Sequence, residues 1–446
     1  MLWEDEIHCV IYYMNSKKIF KNIIVTIITW QSKMVLLRYR PKIIAITGSV
    51  GKTSTKDAIF TVLSKFKTVR KSEKSFNSEI GIPLTILGAS NGWSNPVVWI
   101  ENIIHGFFLI LWKQDYPEYL ILEVGAGKPG DIKNVAPWLS PDMVVVTRFP
   151  DKPVHVEFFG TVENIIEEKS ALAYALKKDG VLVLNHDDEK VYALHSKANR
   201  RTVSYGFNEN ATYHAVHPSY MHASEKDSLL SGINFKLEYS GNTFPVALPH
   251  IIGMHYVGSA LAALACAHEA GCDLLQSINT ISEYVTPPGR LTLIKGINDS
   301  ILIDDTYNAS PVAMDAALDV LDDMKGKRKI AVLGDMLELG RLTEESHRAV
   351  GEKVVGVADI LIVVGPRAKF IALGALEHGF KEKNIYSFET SETCALFLVD
   401  MVKKGDIVLL KGSQGIRLER AIVGIMAHPE IKDKLLCRQE KEWGNR

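Results

Sequence analysis

The apolar run Ile43-Ile44-Ala45-Ile46-Thr47 leads straight into Gly48-Ser49-Val50-Gly51-Lys52-Thr53-Ser54, and a helical stretch follows from Lys56. A loop in that setting suits a polyphosphate. Glycine backbone lets N–H groups approach the oxygens, the Lys52 ammonium offsets charge, and the Thr53 hydroxyl at the helix start can reach magnesium. The common Walker spacing has glycine where Ile46 stands, so the loop is a shorter Gly-x-x-Gly-Lys-Thr variant. Glu123 closes a second apolar run, Tyr119 to Val124, just ahead of Gly125. A carboxylate there can meet a metal at the carboxyl edge of a parallel sheet, or serve only as a helix cap.

These residues need a scaffold, and the chain supplies its pattern. Short β-branched runs at Ile43–Thr47, Tyr119–Val124, Met143–Thr147 and Val181–Leu184 alternate with helical stretches, which predicts a parallel sheet with crossover helices. Between Arg201 and Leu248 the residues alternate polar and apolar, with Gly241-Asn242 as a turn, so an antiparallel insertion is expected. Helical periodicity returns at Val257–Ala270, and the breaker Pro287-Pro288-Gly289 marks a boundary. Beyond it, runs at Ile301–Asp304, Lys329–Leu333, Ile360–Val364 and Ile407–Leu410 again alternate with helices. The expected fold class is α/β: a helix over 1–41, a central P-loop parallel-sheet ATPase domain over 42–288 with its antiparallel insertion, and a smaller C-terminal Rossmann-like α/β domain over 289–446.

Composition narrows the function. The chain has 446 residues, with 51 Lys plus Arg against 52 Asp plus Glu, and this balance argues against nucleic acid as a partner. Five scattered cysteines with no CxxC pair give no zinc signature and fit a reducing, cytoplasmic compartment. The acidic Trp3–Glu6 start does not resemble a secretory signal, and Met14 is a candidate alternative start. From Lys17 to Lys42 every charged residue is basic, around an apolar stripe of Ile19, Ile23, Ile27, Trp30, Met34 and Leu37. The apolar centre is too short to span a bilayer. Such a helix either docks on its own domain or lies at the inner face of the membrane through residues 17–40.

Six ordered segments resemble the Mur ligases: Thr47–Ser54, Asn77–Thr85, Glu123–Ala126, Asp304–Pro311, Gly334–Gly340 and Lys411–Glu419. Within that family the similarity is strongest to the branch that adds D-alanyl-D-alanine to a muramoyl peptide in peptidoglycan synthesis. The resemblance implies ATP-dependent amide formation through an acyl phosphate, with ATP and Mg2+ as cofactors. It implies that Gly48 to Ser54 hold ATP, that Thr53, Glu123, His155 and Lys169 surround magnesium, and that Lys169 is carbamylated. By composition alone His155 reads as a surface residue and Lys169 as a solvated lysine. Arg290 resembles the arginine that reaches ATP across a domain gap. Asp305, Tyr307 and Asn308 resemble a nucleotide-contacting turn, which an Asx turn of the same residues would also explain. Asn77, Glu79, His347, Lys411 and Arg417 are implied around the organic substrates or at the domain interface.

Two departures from the family stand out. The phosphate loop lies so near the start that no UDP-binding α/β domain is expected before it, and Tyr256 and Ser259 stand where the family usually has asparagine. A Mur-like ligase of a lipid-linked or polyglutamate-type acid, and a non-catalytic nucleotide-dependent module at the membrane, are the alternatives.

Overall fold

The computed structural model describes residues 2–73, 76–93, 95–149, 151–152, 156–224, 227–440 and 443, with side chains from residue 21 onward except 223, 224 and 227–229. Its first sheet is built from β1 (Lys42–Thr47), β2 (Val69–Lys71), β3 (Tyr119–Glu123), β4 (Met143–Val146), β5 (Val181–Asn185), β6 (Arg201–Gly206), β7 (Tyr213–Ser224), β8 (Asp227–Tyr239) and β9 (Asn242–Pro249). The spatial order is β2-β3-β1-β4-β5-β6-β7-β8-β9. Strands β2 to β7 pair in parallel and β7-β8-β9 run antiparallel. The antiparallel strands therefore extend the edge of the same sheet. The β8–β9 turn is Ser240-Gly241, one residue earlier than expected, because Tyr239 pairs with Asn242.

Both faces of the parallel strands are covered, which is why they read as continuous apolar runs. Ile44, Ile46, Ile121 and Val145 face α2 (Lys52–Leu63) and the helix Tyr256–Glu269. Ile43, Ala45, Leu120 and Val144 face α1 (Leu2–Tyr39), α3 (Gly81–Leu87), α5 (Asp131–Leu139) and the helix Val162–Tyr174.

The second sheet contains β10 (Thr292–Lys295), β11 (Ile301–Asp305), β12 (Arg328–Gly334), β13 (Ile360–Val364), β14 (Ile385–Phe388) and β15 (Asp406–Lys411), in the order β10-β11-β15-β12-β13-β14. Only β10 is antiparallel. The parallel arrangement brings the ends of β11, β12 and β15, and so the motifs after them, to one edge facing the first sheet.

The first helix docks on the domain, but not by the whole of the stripe that the docking alternative expects to be packed, of which Ile27 and Met34 are half-buried. It buries Ile24, Ile28, Gln31, Ser32 and Val35, whereas Ile23, Trp30 and Leu37 of the expected stripe stand in solvent and Ile19 lies outside the described side chains. Apolar residues occupy both sides of this helix, so periodicity alone cannot choose the buried one. Specific bonds do: Ser32 Oγ donates to Ile28 O and Pro83 O, and Gln31 Nε2 donates to Ile103 O at 2.7 Å. The acceptor Ile103 lies on α4 (Pro96–Leu111), which starts at an Asn95 cap followed by Pro96. Among the described residues no helix is long and apolar enough to cross a membrane.

Candidate active site between the two sheets

The glycine loop turns between β1 and α2 over Thr147, which follows β4. Thr147 Oγ1 donates to Val50 O at 2.6 Å, and a Cβ at Gly48, where φ is +138°, would fall 2.0 Å from that oxygen. Only glycine fits, and Thr147 emerges as a brace that the sequence did not announce. Ser49 N–H donates to Arg148 O, which fixes the other side of the loop. Lys52 Nζ folds back on the carbonyls of Gly48 at 2.9 Å and Ser49 at 3.4 Å. Burial lowers its pKa, a trend that Glu123 opposes and Arg290 reinforces.

Beside the loop, Thr53 Oγ1 donates to Glu123 Oε2 at 2.9 Å, and Asn77 Nδ2 donates to Glu123 Oε1 at 3.2 Å. The Glu123 carboxylate is buried, and its two oxygens accept from the side chains of Thr53 and Asn77. Residues from three of the sequence motifs thus meet at one carboxylate.

Lys169 is 2% exposed, and its Nζ donates to Ser49 Oγ at 2.9 Å. It is not a solvated lysine. Burial, with the Lys52 charge adding to it, pushes its pKa well below the usual lysine value. The neighbouring Glu168 explains the aim of the helix: its buried carboxylate accepts from the N–H groups of Gly130, Ile132 and Lys133 at the start of α5. That anchoring uses the orphan donors and the positive end of a helix. His155 lies outside the described residues.

The second sheet contributes from across the gap. Arg290 Nη2 donates to Thr53 Oγ1 at 3.3 Å, and its guanidinium lies 4.4 Å over the Tyr307 ring. Tyr307 N–H donates to Gly289 O, which ties the linker to the turn after β11. Tyr256 and Ser259, where the family usually has asparagine, make protein contacts here. Tyr256 Oη donates to Arg290 O at 3.1 Å, and Ser259 Oγ lies 3.1 Å from Thr55 Oγ1.

In the turn itself, Asp305 receives the buried Lys411 ammonium at 2.6 Å, and Lys411 also donates to Asn308 O. Asn308 is exposed. A residue absent from the sequence reading, Arg438, donates to Thr306 O and Tyr307 O while pairing with Glu419. It holds the turn from a position 131 residues away along the chain.

The remaining candidates are structural in their contacts. His347 is buried, donates from Nδ1 to Thr343 O and accepts Met336 N–H at Nε2, so it shapes the Gly334–Gly340 segment as a neutral ring. Arg417 pairs with Glu419 and donates to Trp443 O. Glu79 forms an ion pair with Lys21 of α1 at 2.8 Å. Among the described residues no group of three or more His, Cys, Asp or Glu side chains is arranged to hold a metal.

Comparison with known proteins fits this geometry. Residues 46–267 match the Mur ligase middle domain, and residues 289–414 match the Mur ligase glutamate ligase domain. The chain belongs to the Mur ligase family. One relative, the UDP-N-acetylmuramoyl-tripeptide–D-alanyl-D-alanine ligase of Bacillus subtilis (strain 168), is 31% identical over 89% of this chain and 79% of its own length. The Escherichia coli (strain K12) enzyme of the same name is 27% identical over 85% of this chain and 76% of its own. Among solved structures, the Mur ligase MurF of Thermotoga maritima in complex with ADP is 27% identical and superimposes with a TM-score of 0.71, covering 89% of this chain and 82% of that one. Mur ligases are ATP-dependent enzymes that form peptide bonds, and this chain is one of them. The expected α/β fold is borne out by these likenesses.

Proposed function

We propose that this ligase joins D-alanyl-D-alanine to a UDP-linked muramoyl tripeptide, as its relatives' names describe for them. The observation that carries the reading is the meeting of the Lys52 loop, the Thr53–Glu123–Asn77 cluster and Arg290 within hydrogen-bond reach. Making an amide from a carboxylate requires activation. The γ-phosphoryl of ATP passes to the acid as an acyl phosphate, the dipeptide amine attacks its carbonyl carbon, and phosphate leaves. In this reading Gly48 to Ser54 present backbone N–H groups to the phosphates, Lys52 and Arg290 offset charge that builds on the transferring group, and Tyr307 keeps Arg290 aimed across the gap.

The donors present fit magnesium. Thr53 and Glu123 are hard oxygen ligands beside a phosphate site, which is the setting in which Mg2+ binds with a few protein ligands plus water and phosphate. When bound, the ion neutralises phosphate charge. His155 is a candidate for a second ion. A carbamate on Lys169 supplies a further anionic oxygen. The environment favours that modification, because a buried ammonium beside Lys52 is repelled whereas a carbamate in its place is attracted. Asp305, Tyr307 and Asn308 line the nucleotide side in this proposal, while Lys411 and Arg438 keep their turn in shape.

A muramoyl peptide on a lipid carrier is the second reading. It is favoured by the exposed apolar side chains Ile23, Trp30 and Leu37 of α1, a helix that the Lys21–Glu79 ion pair sets against the Asn77–Thr85 segment. One incubation separates the readings: ATP, Mg2+, D-Ala-D-Ala and muramoyl tripeptides carried on UDP, on lipid or free, with products identified by mass. The first reading expects an amide product from the UDP-linked acid with one ADP per bond. Product only from the lipid-linked acid selects the second, and ADP release with no amide from any acid contradicts both.

A further inference from the structure

Helix α4 carries none of the six motif segments, yet it is the most apolar of the described surface helices. Its outward face carries Ile100, Ile104, Phe108 and Leu111, with Phe108 46% and Leu111 61% exposed. These positions recur at helical spacing, so they form one stripe. The stripe is continuous with the exposed side of α1, because the Trp30 and Phe107 rings lie 6.0 Å apart. The two helices cross closely at Gly106, where a Cβ would fall 2.5 Å from Gln31 Oε1. Tyr39 Oη donates to Leu109 O and locks the far end. The result is a rigid apolar platform on two helices, larger than scattered surface residues produce.

The chemistry at its rim selects the occupant. Arg38, Arg40 and Lys113 are exposed at the Tyr39 end of the platform, while Lys33, also exposed, lies over Trp138 of α5, and between Lys17 and Lys42 no acidic residue occurs. The acids nearby are Glu101 on α4, Asp115 and Glu118 beyond Lys113, and Glu79, which is paired with Lys21. A second copy docked on the platform would bring a second cationic rim beside the first without supplying the anions that rim lacks. An anionic bilayer meets both features, since its phosphates pair with the rim and its acyl boundary takes the stripe. Trp30, together with Trp112 at the end of α4, has the amphipathic ring that settles at headgroup level. Among the described residues neither helix is long and apolar enough to cross.

We propose that the α1–α4 platform seats the enzyme on the anionic surface of a membrane, lying in its plane. The proposal does not depend on which acid the ligase takes. It is tested by co-sedimentation of the full chain with vesicles of phosphatidylglycerol and phosphatidylcholine, with pure phosphatidylcholine vesicles as comparison. The protein is expected to sediment with the anionic vesicles at least tenfold more strongly, and 0.5 M salt is expected to reduce that binding. The double variant I104D/F108D replaces side chains that are about half exposed to water, so it is expected to fold normally by circular dichroism and to lose at least tenfold in vesicle binding. R38E/R40E is expected to lose binding to anionic vesicles while keeping its fold. Failure of the native protein to bind any vesicle overturns the proposal. So does equal binding by I104D/F108D, or self-association through Phe108 in place of lipid binding.

Discussion

Replacing Lys52 by alanine is expected to lower ATP turnover by about 10²- to 10³-fold, the range seen when one preorganised donor to a transition state is removed. The side chain has no structural task that would confuse the result. Among the described residues its ammonium hydrogen-bonds the carbonyls of Gly48 and Ser49 in its own loop, and the loop is braced independently by Thr147 and by the bond from Ser49 N–H to Arg148 O. The variant is therefore expected to unfold at nearly the native temperature. Burial lowers the Lys52 pKa, while Glu123 opposes the trend, and bound phosphates would oppose it further. The cation is thus best stabilised when its anionic ligand is present. Steady-state ADP release at saturating nucleotide measures the effect, and near-native turnover in a folded variant would remove the phosphate loop from the mechanism.

Lys169→Ala is expected to cost at least about 100-fold in ligase activity, more than the loss usual for a group one shell away from a metal. The argument rests on placement. A lysine that is 2% exposed, bonded to Ser49 and repelled by Lys52 is held where a neutral amine can take up carbon dioxide and lose a proton to become a carbamate. Small carboxylates such as formate or acetate can enter the space left by alanine and are expected to restore part of the rate. Lys169→Arg, which cannot be carbamylated, is expected to be inactive and to resist rescue. Activity of Lys169→Ala near the native rate, with no response to acetate, would leave Lys169 as a packing residue only.

The parts of this site that could be read from sequence are those whose chemistry is local. Gly48 to Ser54 announce a phosphate loop because strand, glycines, lysine and hydroxyl are contiguous, and the alternation of apolar runs announces parallel strands covered on both faces. What escaped depends on contacts between distant segments. Thr147 braces the loop from the end of another strand, Glu168 aims Lys169 by capping α5, and Arg438 holds the Tyr307 turn from near the C-terminus. Each is an ordinary polar residue with no neighbours to mark it. His347 and Lys411 are of the same kind. The resemblance places them around the organic substrates or at the domain interface, and the structure adds what no sequence pattern marks, the bond of His347 to a backbone N–H and of Lys411 to Asp305. In α1 the apolar residues were legible but their direction was not, because a helix with two apolar sides needs a partner, here α4 through Gln31 and Ile103, to decide which side is buried.

The central claim is that ATP activates a carboxylate on this site rather than being hydrolysed beside it. The direct measurement is the fate of oxygen-18 placed in the acceptor carboxylate of the UDP-linked muramoyl tripeptide. Acyl phosphate chemistry transfers one of those oxygens to the departing phosphate, so the account predicts one heavy oxygen in the phosphate for each amide formed. Amide formation accompanied by unlabelled phosphate would contradict it.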